Sequence, residues 1–428
     1  MNSKPYSIPA GELAARGRED VPDELRSARH LIYSSPATLA FNSPGAEGFG
    51  VKRAGLTIPG SVMLVISPGC CGRNTTLLTE RREYDGRFFF LLLDETDIVT
   101  GRHLRKIPKA VEEVVAACKT RPSVVMLCVT CVDALLGTDM DRVCKKCAEA
   151  AGLPVLPSYM YALTREGRTP PMVAIRKTLY ELLEKRKKRG TSMNILGSFT
   201  PWEDDCELYD ILRGLGLKNI RELSRCEDFA SYQEMAEANF NLVLNPESRL
   251  AAQDLQKRLG IPWIELARLY QVDKIHRQYE LLGTALGTAV DDSPWLAEAN
   301  AAIDALRARH AGKSISVGEW LNADAFELSL ALLRYGFQVP EIFGTVTDTN
   351  FVYIRRIAEL SPDTRIYSNL SPTMLYYDIS SNAADLTIGK DAAYYHPGVP
   401  NVAWNDEIQP FGYRGLVHLL EKIDTALR

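Results

Sequence analysis

The chain contains SVMLVISPGCCGRN at 61–74, FFFLLLDETDIVTG at 88–101 and SVVMLCVTCVDALLGTDM at 123–140. Each of these three stretches begins with β-branched and apolar residues and ends at a small, polar or sulfur-bearing turn. That pattern is typical of a strand buried in a parallel sheet. Residues 106–118, between the second and third stretches, repeat apolar side chains at helical spacing. The region therefore predicts a β-α-β unit.

Four cysteines stand where two of these predicted strands end. Cys70 and Cys71 are adjacent, and Cys128 and Cys131 form a C-x-x-C pair. Open α/β sheets bind their ligands just outside the carboxyl ends of the strands. Thiolates bind iron tightly, and iron–sulfur clusters usually take four protein ligands. The four residues are therefore candidate ligands of a metal or cluster. For Cys128 and Cys131 a redox pair of the thioredoxin type is the alternative, although CVTC lacks the sequence context typical of that motif.

Length and composition are those of an ordinary globular protein. The chain has 428 residues, 46% hydrophobic and 24% charged, which is enough for two to four domains. A net charge of −4 and a pI near 6.0 argue against a nucleic-acid-binding surface. No apolar stretch reaches the ~18 residues of a membrane span, and the N-terminus lacks a hydrophobic signal core. We therefore expect a cytoplasmic protein with no membrane and no nucleic-acid partner.

The rest of the chain alternates strand and helix patterns with short connections, as doubly wound parallel sheets do. A predicted helix over 172–190 ends in five basic residues, Lys185–Arg189, which mark a domain boundary. We expect an N-terminal arm that packs on the first domain or on a partner, followed by three α/β domains. The predicted bounds are 1–55 for the arm, 56–190 for the first domain, 191–310 for the second and 311–428 for the third.

Several other motifs carry less information. Cys144 and Cys147 are three residues apart in a helical pattern and share a face, but no two further ligands follow at zinc-site spacing, so a structural role is favoured. His396, in AYYHPGVP, is interpreted as a residue that packs a loop. There is no phosphate-binding G-x-x-x-x-G-K-[ST] loop, so the chain itself should not hydrolyse ATP, and no G-x-G-x-x-G follows a strand.

The ordered set of motifs resembles that of the component 1 subunits of nitrogenase and nitrogenase-like oxidoreductases, over most of the chain. ISPGCCGRN is similar to the family's G-P-x-x-C-G turn, which carries a cluster cysteine. CVTCVDALLGTDM is similar to its T-x-C-x-x-x-(I/L)-(I/L)-G-x-D motif, whose cysteine is also a cluster ligand. PFGYRGLVHLLEKI resembles the family's closing helix.

The resemblance implies three Rossmann-like α/β domains around a central cleft. It also implies an iron–sulfur cluster, 4Fe-4S or larger and P-cluster-like, at an interface with a homologous subunit in a heterotetramer or homodimer. A separate ATP-hydrolysing iron protein would deliver electrons to this cluster. Cys71 and Cys131 match the ligand positions, with Cys70 competing with Cys71. The family often has a further cysteine in the N-terminal loop, where this chain has AFNSPGAEG, so Ser43, Cys128 or Cys70 would complete the set.

Two departures bear on function. Catalytic nitrogenase subunits hold their molybdenum-type cofactor through a cysteine and a histidine, where this chain has Leu244–Asn245–Pro246 and Asn401–Val402–Ala403. The resemblance is therefore closer to a β-type or cofactor-ligand-lacking subunit than to the cofactor-bearing one.

The sequence therefore predicts a subunit of a nitrogenase-like, ATP-dependent reductase. It would pass electrons to a small-molecule substrate or to a second metallocofactor, as methylthio-alkane or tetrapyrrole reductases do. The first alternative is a non-catalytic scaffold for the assembly of a metal cluster, and sequence does not separate it from the reductase. The second alternative is a protein of tandem α/β domains that binds a small ligand and no cluster, which the cysteine turns disfavour.

Overall fold

A computed structural model describes residues 4–26, 50–69, 84–160, 169–380 and 384–428, and only the backbone of residues 131, 134 and 135. Its described strands form three sheets, which are parallel apart from one edge strand. The strands are β1 (Ile8–Pro9), β2 (Ser61–Ser67), β3 (Phe88–Leu92), β4 (Val124–Val129), β5 (Val155–Tyr159), β6 (Arg189–Leu196), β7 (Asn219–Glu222), β8 (Ala238–Val243), β9 (Trp263–Glu265), β10 (Ile315–Val317), β11 (Glu341–Phe343), β12 (Arg365–Tyr367), β13 (Leu386–Ile388) and β14 (Asn401–Val402).

Helices connect these strands throughout the described part of the chain, so the α/β prediction is confirmed. The helices are α1 (Ala10–Arg16), α2 (Asp23–Arg26), α3 (Val51–Gly55), α4 (Glu95–Val99), α5 (His103–Ala117), α6 (Cys131–Leu136), α7 (Met140–Ala151), α8 (Pro171–Thr178), α9 (Glu207–Gly214), α10 (Phe229–Gln233), α11 (Arg249–Leu259), α12 (Val272–Leu286), α13 (Ser293–His310), α14 (Ala325–Arg334), α15 (Phe351–Leu360), α16 (Lys390–Tyr395) and α17 (Gly412–Leu427). None of them is both long enough and apolar enough to cross a membrane.

The first sheet has the order β3-β2-β4-β5, with every pairing parallel. Side chains alternate between its two faces, as they do along any strand. Leu64 and Ile66 pack with α5 and α7 on one face, and Met63 and Val65 pack with α3 and α8 on the other. Because helices cover both faces, the central strands β2 and β4 are buried along their whole length, as two of the three quoted runs predict. The second run forms the edge strand β3, where Phe90 and Leu92 are exposed, so the prediction of a fully buried strand was wrong there.

The second sheet has the order β7-β6-β8-β9 and is also parallel. Its residues Leu196 and Val243 belong to the same apolar core as Met63 and Val65, on the face of the first sheet that α3 and α8 cover. A buried amide pair crosses its central strands, where Asn194 Nδ2 donates to Asn241 Oδ1 at 2.8 Å. The basic residues Lys185–Arg189 lie in the connection to β6 and at its first residue, rather than at a helix end.

The predicted helix over 172–190 is much shorter than expected, because α8 ends at Thr178. Side chains from elsewhere in the chain bind the carbonyl groups that a longer helix would have used. Tyr232 donates its hydroxyl to the Leu179 carbonyl at 2.9 Å, and Arg258 donates to the Tyr180 carbonyl at 2.8 Å. These tertiary hydrogen bonds replace helical ones, so local periodicity overestimated the helix.

The third sheet has the order β1-β12-β11-β10-β13-β14. Its strands are parallel except for β1, where Ile8 lies opposite Ile366 in an antiparallel pairing. The beginning of the N-terminal arm therefore joins this sheet through β1, and the Leu25 carbonyl accepts a hydrogen bond from the amide of Val346 at 2.7 Å. The expectation that the arm packs on the first domain was wrong for these residues, whereas α3, at the end of the predicted arm, does pack on the first sheet. Packing of the arm on a partner stays a prediction.

Contacts divide the chain into two compact units. One consists of Met1–Ala46, Trp202–Leu215 and Arg268–Arg428, and the other of Glu47–Pro201 and Gly216–Ala267. The unit of Glu47–Pro201 and Gly216–Ala267 contains the first and second sheets. The unit that includes Arg268–Arg428 contains the third sheet together with α12 and α13, two long helices that the sequence analysis did not predict. The predicted domain bounds stay a prediction.

A buried carboxylate caps the last helix. Glu207, fully buried at the start of α9, accepts hydrogen bonds from the amides of Tyr413 at 2.6 Å and Arg414 at 3.1 Å, and from the Tyr279 hydroxyl at 2.7 Å. Burial raises the pKa of this carboxyl, while these donors oppose the shift. The α17 N-terminus thereby satisfies two of its otherwise unpaired amides.

Gly412 makes this cap possible, and its replacement by alanine should break it. Its φ is +64°, and an added Cβ would lie 1.9 Å from Glu207 Oε1. We expect Gly412→Ala to lower the urea midpoint, corresponding to roughly 3 kcal/mol from backbone strain and the displaced buried carboxylate. Gly214→Ala is the matched control, because an added Cβ there meets nothing within 4 Å. Equal urea midpoints for the two variants would contradict the prediction.

Candidate functional site

The two cysteine-bearing turns leave the same edge of the first sheet. Strands β2 and β4 are parallel neighbours, with Ile66 opposite Val129. Helix α6 begins at Cys131, two residues after β4 ends, and Gly69 lies two residues after the end of β2. Cys70, the next residue, lies outside the described part of the chain. The backbone therefore leads both turns to one edge, as the sequence analysis predicted for strand ends.

Three further predicted ligands, Cys71, Ser43 and Cys131, also lack a described side chain. Cys71 and Ser43 are not among the described residues, and the side chain of Cys131 is not described either. The ligand set of Cys71, Cys131, Cys70, Cys128 and Ser43 therefore stays a prediction.

Cys128 is the one predicted ligand whose side chain is described. It is fully buried within β4, opposite Val65 and Ser158 on the neighbouring strands. Its side chain belongs to the apolar core on the α3 and α8 side of the sheet. A buried cysteine often serves as a small apolar side chain, and the packing of Cys128 matches that role.

Two buried hydroxyl groups lie at the ends of the strands that carry the turns. Ser67 is the last residue of β2 and Thr130 follows β4, and both side chains are 0% exposed. Among the described residues, neither hydroxyl has a hydrogen-bond partner. Buried polar atoms without partners are rare in native proteins. Hydroxyl donors at this edge fit a bound group rich in acceptors, such as the sulfides of an iron–sulfur cluster, whose potential depends on hydrogen bonds to sulfur.

A buried charge network lies on the turn after β3. The Asp97 carboxylate is 2.6 Å from Lys106 Nζ and 2.6 Å from Arg102 Nε, and it accepts the amide hydrogen of Asp94. The hydrogen bonds from Lys106 and Arg102 hold the pKa of Asp97 well below its usual range. This turn is the DETDIVTG loop of the sequence analysis, and Asp94 with Asp97 forms a capping box at the start of α4.

The network extends to the helix that begins at Cys131. His103 donates from Nδ1 to the Asp97 carbonyl at 3.0 Å, and its Nε2 lies 3.5 Å from Asp133 Oδ1. Asp133 is 2% exposed, and burial raises the pKa of its carboxyl. Asp133 is the third residue of α6, so His103 lies between the turn after β3 and this helix. Among the described residues, His103 Nε2 and Asp133 Oδ2 have no hydrogen-bond partner. Sequence reasoning missed this pair, since nothing in the spacing of residues 103 and 133 indicates that they meet.

Asn245, which follows β8 of the second sheet, lies where the sequence resemblance places a cofactor cysteine. Asn245 Oδ1 accepts the amide hydrogen of Glu247 at 3.0 Å, which makes a local side-chain turn. Gly197, with φ of +120°, packs so closely that an added Cβ would lie 2.8 Å from Asn245 Cβ. Arg176 is buried there, donates to the Gly197 carbonyl at 3.1 Å and pairs with Glu247 at 2.7 Å. The position offers an amide and no thiolate.

The second cofactor position lies in the third sheet. Asn401 and Val402 form the short edge strand β14, and Val402 is buried. No imidazole stands at residues 401–403. The absence of both cofactor ligands, which the sequence resemblance implies, stays a prediction.

The structural roles predicted for other residues agree with the packing. Cys144 and Cys147 lie buried in the apolar core beside α5, where burial raises the pKa of Cys144 strongly and that of Cys147 to about 11. His396 is fully buried, and its Nε2 lies 2.9 Å from Glu341 Oε2. Thiols that stay protonated in an apolar core are poor metal ligands.

Asp97 provides a pH test of the network at this edge. Because its pKa is depressed by folding, its stabilising effect is fully present above the unfolded carboxyl pKa of about 3.9 and is lost as pH falls toward the folded value. We expect Asp97→Asn to lower the urea midpoint at neutral pH, with the difference from wild type narrowing below about pH 4. Glu95→Gln, at an exposed position of α4, is the control, and its urea midpoint should equal that of wild type at neutral pH and below pH 4. A difference that is constant with pH would contradict the prediction.

Comparison with known proteins places these features in a family. The chain matches the family model "Nitrogenase component 1 type Oxidoreductase" over residues 47–428. It is 26% identical over 362 residues to the nitrogenase iron-molybdenum cofactor biosynthesis protein NifE of Sinorhizobium fredii (strain NBRC 101917 / NGR234), covering 78% of this chain and 71% of that protein. It is 24% identical over 396 residues to NifE of Rhodobacter capsulatus, covering 85% and 80%.

A solved structure shares the fold. "Nitrogenase Cp1 at pH 6.5" superposes with a TM-score of 0.71 at 16% identity, over 97% of this chain and 96% of that chain. The match agrees with the Rossmann-like α/β prediction, and the family model covers most of the chain. The chain belongs to the nitrogenase component 1 type oxidoreductase family.

Proposed function

We propose that this chain is one subunit of a scaffold on which a nitrogenase-type metal–sulfur cluster is assembled. The observation that carries the proposal is the similarity, over most of both chains, to relatives named as cofactor biosynthesis proteins. It favours the scaffold over the electron-receiving reductase that the motifs first indicated. The cluster under assembly is then cargo, and the chain need not carry the cysteine and histidine that hold a finished cofactor.

A second, resident cluster at the edge of the first sheet belongs to the same proposal. Cys71 and Cys131 would supply thiolate ligands, and Cys70, Cys128 or Ser43 would complete the set. The buried hydroxyls of Ser67 and Thr130 would donate hydrogen bonds to the bound group. When bound, an iron–sulfur cluster supplies a site that accepts and passes on single electrons. The chain's own part is to hold the cluster and to keep water away from it.

Exposed apolar side chains near this edge support docking of protein partners. Leu92 ends β3, Val99 ends α4 and Leu136 ends α6, and their exposed fractions are 61%, 85% and 48%. A contiguous patch of exposed apolar side chains marks an interaction surface, and these three residues are candidates for such a patch. We propose that a homologous subunit, in a heterotetramer or homodimer, and an ATP-hydrolysing iron protein bind on this side.

The resident cluster is tested by anaerobic purification of the chain with its natural partner, followed by iron and sulfide quantification and EPR of the reduced state. We expect Cys131→Ala to lose most of the cluster signal, because a thiolate ligand is removed. Cys118→Ala is the matched control, since Cys118 is a partly buried thiol at the end of α5. An iron-free wild-type complex that folds normally would overturn this part of the proposal.

Scaffold and reductase differ in what happens to the cluster and the electrons. We expect the loaded complex to transfer its cargo cluster once to a cofactor-deficient component 1 protein and to restore that protein's activity. The same complex, given the iron protein and ATP, should not turn over methylthio-alkane or tetrapyrrole substrates repeatedly. Multiple turnovers without loss of the cluster would favour the reductase and overturn the scaffold.

A further inference from the structure

The register of the first sheet places Ser67 and Thr130 side by side. These two residues directly follow the last residues through which β2 pairs with β4. Parallel neighbours in register point their side chains to the same face of a sheet, about 4.8 Å apart. Val65 and Cys128, two residues earlier, belong to the apolar core that α3 and α8 cover. Ser67 and Thr130 therefore point to that same face, at its carboxyl edge.

The hydroxyls of Ser67 and Thr130 differ from a buried hydroxyl at the other end of the same sheet. Ser61, at the start of β2, accepts a hydrogen bond from Arg87 at 3.0 Å. Thr130 immediately precedes α6, a position from which threonine hydroxyls commonly bind an amide of the first helical turn. Neither its hydroxyl nor that of Ser67 has a partner among the described residues, although both side chains are fully buried.

Two unpaired hydroxyls in a buried position cost the folded chain free energy. A buried donor without an acceptor destabilises the protein by the cost of its desolvation, which an apolar side chain of similar shape would avoid. Here two such donors are adjacent and face the same way, at the edge of the sheet where α/β proteins bind ligands. The pair is therefore suited to a bound group that presents acceptor atoms to both hydroxyls.

We propose that Ser67 and Thr130 form a paired donor site that raises the reduction potential of the resident cluster. This role rests on the resident cluster proposed above, and it assigns control of the potential to two residues that are not ligands. The sulfurs of an iron–sulfur cluster accept hydrogen bonds, which are among the factors that set its potential. Because the reduced form carries one more negative charge than the oxidised form, a hydroxyl donor stabilises the reduced form more strongly.

The potential is measured by an EPR-monitored redox titration of the complex with its natural partner, with dithionite as the one-electron reductant. Thr130→Val and Ser67→Ala each remove one hydroxyl and should keep the iron and sulfide content of wild type. Each should lower the ratio of reduced to oxidised cluster at a fixed potential about tenfold, a shift of about 59 mV to more negative potential for one electron. Thr130→Ser retains the hydroxyl and should retain the wild-type potential.

Ser61→Ala is the matched control. Ser61 is also buried on β2, but it lies at the opposite end of the strand and its hydroxyl is paired with Arg87. Its loss should leave the potential unchanged. Wild-type potentials in both Ser67→Ala and Thr130→Val, at full iron content, would overturn the paired donor site and leave the resident cluster in place. An iron-free wild-type complex would overturn the resident cluster itself, and the donor site with it.

A stability measurement tests the unpaired hydroxyl without a cluster. In the full chain, after iron has been removed by chelation, Thr130→Val should raise the urea midpoint, because it removes a buried donor that has no acceptor. Ser61→Ala should lower the midpoint, because it removes an acceptor of Arg87. A midpoint of Thr130→Val below that of wild type would show that the chain itself satisfies this hydroxyl, and would overturn the proposal.

Discussion

The parallel pairing of β2 with β4 is the constraint on which the candidate site depends. Register runs without a break from Ser61 opposite Val124 to Ile66 opposite Val129. A slip of one residue would turn every side chain to the other face, and separate apolar cores on the two faces oppose such a slip. Because the two strands end together, the turns that carry the predicted ligands must leave the sheet side by side.

Buried polar groups at this edge are of two kinds. The Asp97 carboxylate is satisfied by two cations and a backbone amide, and its carbonyl accepts a hydrogen bond from His103 Nδ1. A satisfied buried network makes a rigid support, because any rearrangement would strand a charge in an apolar region. Ser67 and Thr130, in contrast, hold hydroxyls with no partner among the described residues. The Asp97 network supports the turn after β3, and the hydroxyls of Ser67 and Thr130 are available to donate hydrogen bonds to a bound group.

Family membership and the proposed scaffold role agree in physical terms. A scaffold must release its cargo, so strong dedicated ligands at the cofactor positions would oppose its task. Here a local amide turn at Asn245 and an edge strand at Val402 stand at those positions.

The sequence by itself determined the parallel α/β architecture and the strands around the cysteine turns, and it favoured a structural role for Cys144 and Cys147. These follow from hydrophobic periodicity and turn residues, which act over a few neighbouring positions. The tertiary structure decided where α8 ends, which sheet the N-terminal arm joins, and that His103 meets Asp133. Those outcomes depend on hydrogen bonds and packing between residues far apart in the chain, and no local spacing encodes such partners.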